Sequence, residues 1–215
     1  MHQLQGLVNG FERFRKKAKE GKTGSFQTLA LDGQSPVALV VACCDSRVDP
    51  ALILDCDPGD LFVVRNVANL VPPYSSERSY ASTSAALEFG LLSLNIPNII
   101  ILGHSRCAGI KAVLDKAISD NQKESSSIDQ WMSNATAAAE ETIQESNDLA
   151  IEEQRCICSR KSLVKSLENL RSYPWVKERL AAGKLSISGW YFHLYDVSIE
   201  QYCEEDQTFK TLQYD

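Results

Sequence analysis

No apolar run in these 215 residues approaches the ~20 needed to cross a bilayer, which argues against a helical membrane span. The opening stretch MHQLQGLVNGFERFRKKAKEGK lacks the basic-then-apolar order of a secretory leader. Positive charge is in short supply: 22 Lys and Arg face 28 Asp and Glu, a formal net charge of −6, so a nucleic-acid partner is not expected. The chain has no internal repeat and no long low-complexity tract. No G-x-G-x-x-G or phosphate-cradling loop follows the first apolar strand, which sets aside a nucleotide-binding reading.

What is present is a soluble globular composition, 44% hydrophobic and 23% charged, long enough for one real core and cramped for two. A single domain over 1–215 is expected, with residues 1–25 as an N-terminal helical arm. In that arm Leu4, Leu7, Val8, Phe11 and Phe14 share one side of an amphipathic helix, and the basic cluster from Arg13 to Lys19 forms its solvated face. Seven cysteines, an odd count without a leader, suggest a reducing compartment, and the cytoplasm is the expected location.

Strands are expected at Val37–Cys43, Leu61–Val64 after the turn signal DPGD, and in PNIIILGHS, with one or two late strands in LSISGWYFHLYDV. Helices are expected in PALILD, over Tyr80–Leu94 with Ala85, Leu87, Leu91 and Leu92 as apolar positions, and in CAGIKAVLDKAI. Further helices are expected from about Asp129 to Leu170, with a break near Ser146 and Asn147, and in YPWVKERLAAGK. The polar NQKESSSID reads as a loop. Unalternating apolar strands separated by helices imply an α/β fold, a mostly parallel central sheet flanked by helices. Ligands in such sheets bind beyond the carboxyl ends of the strands. The tips to inspect are therefore Cys43–Arg47, Arg65–Asn69 and Gly103–Cys107.

The first tip, CCDSR, delivers two thiols, a carboxylate and a guanidinium; the third, GHSRC, delivers His104 and Cys107. His104, Cys107 and a cysteine of the first tip make a Cys₂His set, three protein ligands with a fourth position open, as in catalytic zinc sites. Side chains alternate along a strand, so only one of Cys43 and Cys44 can reach the metal. Arg47 can hold Asp45 in a bidentate pair that keeps the carboxylate ionised and aimed. A plain surface ion pair, worth ~0–1 kcal/mol, is the bland alternative. Cys156 and Cys158 in RCICSR, a C-x-C on a helix, point to different faces and read as structural or incidental.

On CCDSR and GHSRC the chain resembles a β-class carbonic anhydrase of the plant type. The likeness extends through PGDLFVVRNVANLVPPY and SAALEFG and returns weakly in SLENLRSYPWVKERL and SGWYF. It implies reversible hydration of CO₂ to bicarbonate by zinc-bound hydroxide, with one zinc per subunit on Cys43, His104 and Cys107. Asp45 and Arg47 become the orienting dyad, and Cys44 is expected to pack in the sheet. Gln34 maps to an active-site amide, and Phe62 and Val67 to the apolar CO₂ pocket. Phe89 stands where relatives carry a tyrosine contributed by the neighbouring subunit, so a homodimer or larger homo-oligomer is implied. Ala108 departs from the usual glycine after the second cysteine, and its Cβ is expected to narrow the turn or the pocket. Ser82 departs from the common pattern as well. Val40 replaces the tryptophan of a regulatory bicarbonate site, which is therefore not expected. His193 is a candidate proton shuttle that more often has a structural role. The alternative functions are CS₂ or COS hydrolysis on the same scaffold and a non-catalytic zinc-binding role.

Overall fold

The computed structural model describes residues 2–21, 26–75, 81–119 and 126–212. Strands β1 (Ala38–Cys43), β2 (Leu61–Asn66), β3 (Asn98–His104), β4 (Ser186–His193), β5 (Ser198–Cys203) and β6 (Thr208–Thr211) form one sheet in the order β2-β1-β3-β4-β5-β6. The first four run parallel, and β5 and β6 add on antiparallel. Every residue of β1 and all but the first of β3 are buried, because helices cover both faces and leave no side for polar alternation.

The helices are α1 (His2–Lys19), α2 (Phe26–Asp32), α3 (Pro50–Ile53), α4 (Ala81–Glu88), α5 (Ala108–Ser119), α6 (Ser127–Met132), α7 (Thr136–Ser146), α8 (Ile151–Ser172) and α9 (Pro174–Ala181). On one face Val40, Ala42, Cys43, Ile100, Leu102 and Phe192 pack against Ile110, Val113 and Leu114 of α5. On the other, Leu39, Val41, Ile99, Ile101 and Tyr191 meet Leu163, Leu167 and Leu170 of α8. None of the described helices is long and apolar enough to cross a membrane.

The expected strands are present, and two more follow. SIEQYC and TFKT form β5 and β6, half-exposed strands whose mixed polarity gives no apolar run to detect. The helix α2 was not expected. Loop character ends earlier than anticipated: Ser126 and Asp129 form a capping box, so α6 opens at Ser127. The expected helical break falls between α7 and α8. In the Tyr80–Leu94 segment Leu87 and Leu91 are buried while Ala85 and Leu92 are exposed; Tyr80 lies outside the described residues. The helix α1 forms as expected, but its apolar face is uncovered, with Phe11 63% exposed.

From β1 the chain pairs first with β2 on one side and later with β3 on the other. The order reverses there, opening a crevice at the carboxyl ends of β1 and β3.

Candidate metal centre

Cys43 is the last residue of β1 and His104 the last of β3; the β1–β3 ladder ends just before them, at Ala42 and Leu102, while each stays paired to its outer neighbour, Cys43 to Asn66 and His104 to Phe192. After His104 the chain turns through Arg106, in a left-handed conformation (φ 58°), and places Cys107 immediately before α5. The three are buried together, with ligand atoms all within 4.8 Å of one another, the one such group among the described residues. Cys43 Sγ and Cys107 Sγ are 3.9 Å apart.

This trio fits zinc. Two thiolates on a tetrahedral zinc, each about 2.3 Å from the ion, stand about 3.8 Å apart. The Nδ1 of His104 lies 2.9 Å from the carbonyl oxygen of Ser105, which only accepts, so Nδ1 carries the proton and Nε2 offers a lone pair. That Nε2 is fully buried without a hydrogen-bond partner, the mark of a ligand atom waiting for a cation. Without a cation, the hydrogen bond from Cys107 holds the Cys43 thiol below its ordinary range. The same bond, together with burial, pushes the Cys107 thiol up. A dication in their midst favours thiolate at both.

Beside the trio stands Asp45. Arg47 grips it twice, Nε to Oδ1 at 2.9 Å and Nη2 to Oδ2 at 2.6 Å, and the Arg47 backbone N–H adds a third bond at 3.0 Å. These bonds hold the Asp45 carboxyl well below the usual carboxylate range. The carboxylate is thus spoken for by Arg47 and stands outside the ligand group.

Two further residues shape the tip, and neither was singled out from the sequence. Arg65 donates to the carbonyls of Cys43 (2.9 Å) and Asp45 (2.7 Å) and pairs with Asp49 at 3.0 Å, pinning the chain around the first motif. Trp131 donates from Nε1 to the carbonyl of Val67 at 2.8 Å. Both act on main-chain oxygens, which leave no pattern in a sequence; only Arg65's place at a strand tip was a signal.

The four pocket residues separate. Val67 lies at the trio, since the next backbone N–H, of Ala68, donates to Cys43 Sγ at 3.4 Å. Phe62 pairs with Leu39, four residues back from Cys43, about 13 Å along the strand at 3.3 Å per residue. Its ring meets Phe89 at 6.0 Å on the opposite face of the sheet. Gln34 is exposed before β1, at its amino end. One chain therefore brings Val67 to the trio and keeps Gln34, Phe62 and Phe89 away from it.

Two expectations are corrected. Cys44 is exposed rather than packed in the sheet, because β1 ends at Cys43. Ala108 is exposed, so within one chain its Cβ does not crowd the turn; the tight position is Gly109, where a Cβ would come within 2.9 Å of Val67 Cγ1 and 3.2 Å of Ala68 Cβ. Ser82 is also exposed, and Val40 is wholly buried in β1. His193 is held by Glu200 at 3.0 Å, in a seam where Arg160 bonds the same carboxylate, which suits a structural role. Cys158 is buried, and Cys156 Sγ rests 3.8 Å from the Tyr191 hydroxyl.

A Cys₂His trio at the switch point of a parallel sheet, with an arginine-braced carboxylate alongside, is the architecture of a three-ligand zinc protein on an α/β scaffold. The carbonic anhydrase family model matches residues 38–199. Over 192 residues the chain is 40% identical to β-carbonic anhydrase 5, chloroplastic, of Arabidopsis thaliana, covering 89% of this chain and 62% of that protein. It is 38% identical over 191 residues to β-carbonic anhydrase 3 of the same plant, covering 88% and 72%. The solved structure of the β-carbonic anhydrase CcaA superposes with a TM-score of 0.89 at 30% identity, covering 98% of this chain and all of that one. The chain belongs to the β-class of the carbonic anhydrase family. It spans 62% of the length of the chloroplastic relative.

Proposed function

We propose that the protein catalyses the reversible hydration of CO₂ to bicarbonate and a proton, with one zinc ion per subunit on Cys43, His104 and Cys107. The observation that carries this reading is the partnerless, buried Nε2 of His104 facing two thiols, next to an ionised Asp45. Zinc, when bound, supplies the Lewis acidity that makes hydroxide available near neutral pH. Asp45, braced by Arg47, accepts hydrogen bonds and donates none. It therefore takes the proton side of an attacking O–H group, turns the oxygen lone pair toward CO₂, and repels an anion with no proton at that point. Val67 supplies an apolar wall beside Cys43.

The pocket is completed, in this reading, by Gln34, Phe62 and Phe89 of a second copy in a homodimer or larger assembly. Exposed apolar groups support this: Phe89 is 48% exposed, with Val63 on edge strand β2 and Leu92 also open. The uncovered face of α1 adds Leu4, Leu7, Val8, Phe11 and Phe14, and its basic residues suit an acidic partner such as a chain of net charge −6. The working compartment is taken as the reducing cytoplasm, which suits seven cysteines with no disulfide among them.

The test offers zinc-loaded protein CO₂ and, separately, CS₂ and COS. Rapid, azide-sensitive CO₂ turnover supports the reading. Sulfide release without CO₂ hydration replaces it with the hydrolase, and zinc binding with neither reaction leaves a non-catalytic protein.

A further inference from the structure

We propose that Trp131 is a positioning residue for the ligand Cys43, acting through the peptide group that joins Val67 to Ala68; this rests on the zinc reading above. The Trp131 indole donates to the Val67 carbonyl at 2.8 Å, and the Ala68 N–H donates to Cys43 Sγ at 3.4 Å. Those two polar groups belong to one trans peptide and point in opposite directions. A donor that holds the oxygen on one side therefore sets the aim of the N–H on the other.

The peptide needs holding. Ala68 (φ 65°, ψ 23°) and Asn69 (φ 49°) are both left-handed, a conformation unfavourable for residues with a Cβ and kept only where surroundings enforce it. Asn66 clamps the far end of the turn, accepting from Leu70 N–H at 2.8 Å and donating to Leu70 C=O at 2.9 Å. Gly109 lets α5 press against Val67 and Ala68. Neither of those clamps grips the Val67 oxygen; Trp131 does. The indole is itself placed by α6, which the capping box opens and which Lys116 of α5 ties down through Asp129 at 2.9 Å. Trp131 also packs against the core cluster that contains Cys43, Cys107 and Met132.

A thiolate that accepts an N–H bond is less electron-rich and is fixed in direction, so the chain from indole to peptide to sulfur tunes what Cys43 offers a metal. Trp131→Phe keeps an aromatic ring and removes the donor. In full-length protein loaded with cobalt(II) in place of zinc, the thiolate-to-cobalt charge-transfer band is expected to move to longer wavelength in the variant. Zinc affinity, measured by chelator competition, is expected to fall about tenfold. The Ala68 amide proton is expected to move upfield and exchange faster. A Trp131 that only fills space would leave the band and the Ala68 resonance where they are, and that result overturns the proposal. If Trp131→Phe does not fold, β-(3-benzothienyl)alanine at 131, an isostere with sulfur in place of the N–H, gives the same comparison. Wild-type protein with no cobalt charge-transfer band would instead refute the zinc reading, and the proposal with it.

Discussion

Arg47 ties the two sequence motifs together: while it grips Asp45, its Nη2 donates at 3.2 Å to the carbonyl of Arg106, 59 residues on. Arg106 lies between the ligands His104 and Cys107, so the guanidinium that aims the carboxylate also braces the turn that delivers Cys107. Dyad and ligand set are one unit.

The first consequence concerns the metal. Cys43→Ser replaces a thiolate by a poorer zinc ligand and leaves Cys107 and His104 without their third partner. The variant is expected to retain no stoichiometric zinc after dialysis, by atomic emission, while wild type retains one ion per chain. Full zinc retention by the variant would remove Cys43 from the ligand set.

Gly109→Val places a branched side chain where Val67 Cγ1 is 2.9 Å and Ala68 Cβ 3.2 Å from an ideal Cβ. The turn carrying Ala68 is clamped at Leu70 and cannot retreat freely, so overpacking is expected to cost about 1–3 kcal/mol in urea unfolding. Ala108→Val, one residue earlier and exposed, is the control and is expected to change stability little.

Much of the centre was legible from the chain because each half is compact. CCDSR and GHSRC begin in the last residues of apolar strands, and a parallel sheet brings strand tips together whatever their separation in sequence. The tip Arg65–Asn69 was legible as a place to inspect, but the roles of Arg65 and Ala68, and Trp131 altogether, were not, because their work is done on or by backbone groups, and left-handed φ at Ala68 carries no sequence mark. The short strands β5 and β6 were missed because they are half exposed and carry no apolar run. The exposed state of Cys44 turned on where β1 stops, a matter of one residue.

The open face of α1 predicts its own test. Phe11→Asp with Phe14→Asp puts two charges on a surface that a second copy is proposed to cover. Sedimentation is expected to show an assembly for the wild type and a smaller species for the variant. An unchanged assembly would place the interface elsewhere.

Hydration is expected to climb with pH between 6.5 and 9, because the metal's task is to make hydroxide available and two thiolates donate more charge than imidazoles. Initial rates across that range check it, and a flat profile contradicts it.

The most direct test of the account is stopped-flow CO₂ hydration by wild type and Asp45→Asn at equal zinc content, near pH 8.5, where hydroxide is expected to be available. Fast hydration by the wild type and loss of most of it in the variant, with zinc retained, is the predicted result. Equal rates would remove Asp45 from the chemistry, and a wild type that holds zinc but hydrates no CO₂ would contradict the account.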